Sequence, residues 1–123
     1  TGLRNYEKSL INHIHLLTNG YNLFVFPEGS ITKDGRLGNA HGGIAFLSER
    51  TDSIIVPVGI SGVYKMSSYD FFKRKRNIVV NFGKPIFQSE IKSNISRKNI
   101  DPISIYKIEA EYIMKRISDL LIV

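Results

Sequence analysis

The chain has 123 residues, 42% of them apolar and 23% charged, with no cysteine. That suits one modest domain or a large piece of one, and argues against a disordered chain, a disulfide scaffold, a thiol nucleophile or a zinc–thiolate site. Seventeen Lys and Arg against eleven Asp and Glu leave a net charge of +6, which points to an anionic partner: nucleic acid, an acidic membrane surface, a phosphorylated substrate or an acidic carrier protein.

Leu3, Tyr6, Leu10, Ile14 and Leu17 recur at three- and four-residue steps, with Arg4, Lys8 and Asn12 on other faces. This predicts an amphipathic helix over residues 4–18, stopped by Asn19-Gly20. Leu23-Phe24-Val25-Phe26 is an unbroken apolar run closed by Pro27, the habit of a central strand covered on both faces. Residues 27–43 form a glycine-rich connection into a short helix that holds Ile44 to Leu47 and ends near Arg50. Ile54 to Val58 reads as a second buried strand, and Pro57 within it calls for a bulge or an edge position. Strand, helix, strand is a βαβ unit with a right-handed crossover. A third strand is expected over Ile78 to Phe82, turned out by Gly83-Lys84-Pro85. Asp101-Pro102 caps a final amphipathic helix marked by Tyr106, Ala110, Ile113, Ile117, Leu120 and Leu121. The fold expected is α/β, a mostly parallel sheet of at least three strands covered by helices, in a single domain over residues 1–123.

In open α/β sheets, ligands sit beyond the carboxyl ends of the strands. Pro27-Glu28-Gly29-Ser30, with Thr32, Lys33, Arg36 and His41, follows the first predicted strand. Hydroxyls, two cations and the amides opening the next helix are parts for gripping a phosphorylated, hydroxyl-bearing small molecule. The same residues also make an ordinary strand-ending turn with Glu28 in solvent. Neither a Walker motif nor Gly-x-Gly-x-x-Gly occurs. His13 and His15 sit two apart on a helix and so face different ways. No metal-ligand spacing and no Ser-His-Asp set stands out.

Phe26-Pro27-Glu28-Gly29-Ser30 resembles the Phe-Pro-Glu-Gly-Thr/Ser block of the glycerolipid acyltransferases, the family of 1-acylglycerol-3-phosphate acyltransferases. Lys33-Asp34-Gly35-Arg36-Leu37 resembles that family's charged turn, and His41-Gly42-Gly43-Ile44-Ala45 the stretch opening its next helix. Ile54-Ile55-Val56-Pro57-Val58 resembles its fourth block, and Ile78 to Ile86 its later strand and Gly-x-Pro-Ile turn. The resemblance implies transfer of a fatty acyl group from acyl-CoA or acyl-carrier protein to a hydroxyl of a glycerol-phosphate lipid acceptor, with no cofactor or metal. It implies that Phe26, Pro27, Glu28, Gly29, Ser30, Lys33 and Arg36 serve the acceptor, and that Pro57 shapes the donor side. A membrane-associated protein on the cytoplasmic face is the matching location.

Two departures stand out. The family's general base is a His-x-x-x-x-Asp motif, yet five residues beyond His13, His15 and His41 stand Thr18, Gly20 and Phe46. That motif lies upstream of Phe-Pro-Glu-Gly in the family, so the chain is expected to be a C-terminal portion of a larger acyltransferase domain, inactive alone. Ile31 stands where the family often has a phosphate-gripping arginine, leaving Lys33 or Arg36 to take over. The run Lys73, Arg74, Lys75 and Arg76 beside Phe71 and Phe72 suits an anionic membrane surface or an acidic carrier. The rival expectation is a small basic module without catalysis that binds nucleic acid or anionic lipid.

Overall fold

The computed structural model describes residues 2–122, with side chains from residue 5 onward. The first predicted helix is two, α1 (Gly2–Ser9) and α2 (Ile11–Thr18), separated at Leu10. The hydrogen-bond ladder nevertheless crosses the break, from Leu10 N to Tyr6 O at 2.9 Å and from Ile14 N to Leu10 O at 2.9 Å. The side chains of Leu3 and Arg4 lie outside the described residues. Asn19-Gly20 ends α2 as expected. Gly20 has φ 84°, and the amides of Gly20 and Tyr21 bond back to the carbonyls of Leu17 and Leu16, each at 3.1 Å, the double return of a Schellman stop.

Helix α3 (Gly43–Thr51) and the long α6 (Pro102–Ser118) form the rest of the helical body. Asp101 caps α6 by accepting from the Ser104 amide at 3.0 Å, with Pro102 in the first turn. Between these helices Ile14, Phe46 and Leu47 are buried, packed against Tyr6, Leu23 and Tyr106. The Tyr6 ring stacks on Phe46 at 5.3 Å. A second cluster, Ala40, Ala110 and Met114, seats Leu37 and Ile44 on α6. A third, Ile86, Ile91 and Ile113, packs the short helix α5 (Gln88–Asn94) against the same spine. The sequence reading had no element at α5, nor at α4 (Ser68–Phe72).

The mostly parallel sheet of at least three strands is overturned. Among the described residues there is one sheet of two antiparallel strands, β1 (Val58–Ser61) and β2 (Val79–Phe82), with Val58 opposite Phe82 and Ser61 opposite Val79. No right-handed βαβ crossover exists without a parallel pair. Among the described residues, 22–26 pair with no strand. Phe24 and Phe26 stand 68% and 65% exposed, ring against ring at 5.2 Å. The strand expected over 54–58 begins only at Val58, preceded by a lone Ile55–Ile86 bridge. Between that bridge and the Val58–Phe82 pair the second strand carries one residue more than the first, which is a bulge. Pro57 faces it from the shorter side, lacking a donor itself but accepting from Gly83 N at 2.9 Å. The bulge expected within the 54–58 strand falls instead on the facing segment, and the sheet is antiparallel.

One face of the sheet is covered. A side chain at Gly59 would come within 2.8 Å of Leu120 Cβ, and Asn81 Nδ2 donates to Leu120 O at 2.9 Å. The other face carries Val58, Ile60, Val80 and Phe82, and Phe82 is 72% exposed.

Candidate functional site

The connection from Phe26 to Gly42 is irregular but closely fastened. Its neck closes where His41 N donates to Pro27 O at 2.9 Å, while Gly29 N turns back to Phe26 O at 3.0 Å. Gly29 has φ 65°, and a Cβ there would lie 3.0 Å from the His41 ring. Both the left-handed backbone and the imidazole select glycine. Glu28 does not point freely into water: its Oε2 accepts from Gly38 N at 2.5 Å, spanning the loop. Leu37 and Ala40 anchor the far limb on α6.

The tip is a tight turn built by short polar side chains. The Thr32 hydroxyl accepts from Gly35 N at 2.9 Å and donates to Arg36 O at 2.8 Å. Asp34 Oδ1 accepts from Arg36 N at 3.0 Å. Local bonding of this kind is how Thr and Asp favour turns over helix. The Thr32 hydroxyl is thus used within the loop, whereas Ser30 is exposed beside it. Lys33 and Arg36 are exposed, and among the described residues neither makes an ion pair. Ile31, the departure from the resembled motif, is 91% exposed and faces solvent.

Sequence reasoning gave no role to Tyr64. Its hydroxyl donates to Lys33 O at 2.8 Å, and its ring lies where a Cβ on Gly35 (φ 80°) would approach within 2.7 Å. Arg76 in turn donates to Tyr64 O. The turn carrying Lys33 and Arg36 is therefore held from outside, by a residue 31 positions away that no local pattern reveals.

The remaining expected parts are dispersed. Pro57 is fully buried at the head of β1, against Gly83. The opening of α3 is hemmed in: a Cβ on Gly42 would meet Tyr6 Oη at 2.8 Å and Tyr106 Cβ at 3.2 Å. His13 and His15 are exposed on α2. Among the described residues no group of three or more His, Asp or Glu could hold a metal ion.

The geometry is a pinned, glycine-rich loop presenting two cations, and a family profile described as Acyltransferase matches residues 2–61, from α1 through β1. Over residues 2–61 the chain is similar to the acyltransferase family. The chain is also 33% identical over 79 residues to the chloroplastic 1-acyl-sn-glycerol-3-phosphate acyltransferase of Arabidopsis thaliana. That stretch is 63% of this chain but 22% of the relative, so the chain matches under a quarter of that protein's length. No solved structure matches the chain. The matched segment contains the whole pinned loop, and it ends before α4 and the basic run.

Proposed function

We propose that this chain supplies the acceptor-binding part of an acyltransferase that moves a fatty acyl group from a thioester to a hydroxyl of glycerol 3-phosphate or its 1-acyl derivative. The observation carrying this is the loop itself: Glu28 on the Gly38 amide fixes its width, and Lys33 and Arg36 stand outward, making no ion pair among the described residues. Two cations on a pre-shaped turn suit a phosphate dianion, and pre-shaping lowers the entropy lost on binding. Glu28 acts in this reading by positioning the loop, not as an acid or base. Acyl transfer also needs a group to take the hydroxyl proton, and no His-x-x-x-x-Asp is present in these 123 residues.

Titrating glycerol 3-phosphate into the isotopically labelled chain tests this. Amide signals of residues 28–41 should shift, glycerol without phosphate should leave them in place, and Lys33→Ala with Arg36→Ala should abolish the shifts. Acyl-CoA added to the same samples should go unconsumed. Shifts confined to other segments would sink the acceptor assignment, and steady acyl transfer would overturn the statement about the base.

A further inference from the structure

The segment between β1 and β2, residues 62–78, lies beyond the acyltransferase-family match. Its helix α4 is closed by a reciprocal cap: Ser67 Oγ accepts from Asp70 N at 3.1 Å, and the Asp70 carboxylate accepts from Ser67 N at 3.2 Å. The cap also uses the segment's one acidic side chain, which leaves five basic residues without a free acidic counterpart in the segment. Phe71 and Phe72 project from this turn 57% and 79% exposed, packed edge to face on each other at 5.6 Å. Beside them is an open depression of about 620 Å³ whose lining includes Met66, Phe71, Phe72 and Ile78 together with Arg74 and Arg76.

The four residues of the basic run are not equivalent. Arg76 is engaged on the Tyr64 carbonyl, and Lys75 Nζ lies 4.5 Å from the Tyr69 ring centre. Among the described residues Lys73 and Arg74 make no ion pair. Exposed phenylalanines ringed by cations match a bilayer interface, where rings enter the headgroup layer and ammonium or guanidinium groups meet lipid phosphates. A depression that sets apolar side chains beside guanidinium groups suits an amphiphilic anion better than a sugar–phosphate chain, which offers no aliphatic tail to cover Met66 and Ile78.

We propose that the α4 segment docks this protein on an anionic phospholipid bilayer through Phe71, Phe72, Lys73, Arg74 and Lys75. Arg76 and Tyr64 tie the segment to the turn of Lys33 and Arg36, so docking holds that turn close to the lipid surface. The inference does not depend on what the turn binds.

Sedimentation of the 123-residue chain with phosphatidylcholine vesicles, with and without phosphatidylglycerol, tests it. Binding should require phosphatidylglycerol and weaken as salt rises. The double variant Lys73→Gln/Lys75→Gln should lose roughly 25-fold in vesicle affinity, about five-fold per lysine. Phe72→Ser should weaken binding without altering its salt dependence. Lys98→Gln/Lys107→Gln, at exposed lysines elsewhere, should bind as the parent does. Equal loss in both lysine pairs, equal binding to phosphatidylcholine alone, or no sedimentation would each overturn the proposal. So would binding at α4 by an acidic acyl carrier protein or a single-stranded oligonucleotide in the absence of any binding to phosphatidylglycerol.

Discussion

Glu28 was legible in the sequence as an acid leaving an apolar run, but its partner was not. The carboxylate reaches ten positions on to the Gly38 amide, and a Cβ on Gly38 would sit 3.1 Å from the same oxygen. A net hydrogen bond of this kind contributes about 1 kcal/mol. Glu28→Ala should therefore speed hydrogen exchange at the Gly38 amide roughly five-fold, with global melting almost unchanged. Glu28→Gln, which keeps an acceptor oxygen, should fall between. An unchanged Gly38 amide in the alanine variant would return Glu28 to solvent. Lys33 and Arg36 were readable because charge in a turn is a local signal. Tyr64 was not, since an aromatic ahead of a basic run reads as surface until the fold lays it on Gly35.

At the scale of elements, punctuation was readable and pairing was not. Asn19-Gly20 and Asp101-Pro102 act within a turn of themselves, so their chemistry is local. The sheet misled because continuous apolar runs at 23–26 and 54–58 suggested strands buried on both faces. The true ladder lies in Val58-Gly59-Ile60-Ser61, where Gly59 meets Leu120 and Val58 and Ile60 share the outer face with Phe82 and Val80, the reverse of the usual apolar-in pattern. Burial of charge was equally hidden. Glu109 on α6 is fully buried, and Arg97 donates to it while also reaching Glu49 on α3 at 3.1 Å. Among the described residues Glu109 Oε2 and Arg97 Nε lack partners. Burial raises the Glu109 carboxyl above its ordinary value, against the pull of Arg97. A carboxyl raised in the folded state costs stability once pH exceeds that raised value, and the cost vanishes below the ordinary one. Glu109→Gln, in which Glu49 still pairs Arg97, should accordingly be more stable than the parent at neutral pH. That advantage should fade as the pH falls through the raised value toward 4.5, the ordinary one. Arg97→Ala should do the reverse at neutral pH, costing about 3 kcal/mol by stranding the charge. Urea melts at the two pH values measure both, and a less stable Gln variant at neutral pH would show that Arg97 outweighs burial.

Taken whole, the molecule has a well-packed side and a bare one. Helix α6 gathers all three buried clusters and the inner face of the sheet, while Val56, Val80 and Phe82 stay 49%, 47% and 72% exposed. Composition could not show this, since an apolar fraction does not say which side chains find neighbours. A contiguous apolar face on a two-stranded sheet is adhesive, and its strands have open edges. The folded chain should therefore brighten an uncharged environment-sensitive dye such as Nile red in native buffer. Val80→Thr/Phe82→Thr keeps strand-compatible residues and should remove most of that signal without lowering the melting temperature. Persistence of the signal would place the dye elsewhere. The same variant separates the two sticky surfaces of this protein. An apolar face holds vesicles independently of salt and of headgroup charge, whereas the basic α4 segment needs both low salt and an anionic lipid. Val80→Thr/Phe82→Thr should thus leave salt-sensitive binding to phosphatidylglycerol vesicles intact, and loss of that binding would move the lipid contact from α4 to the sheet.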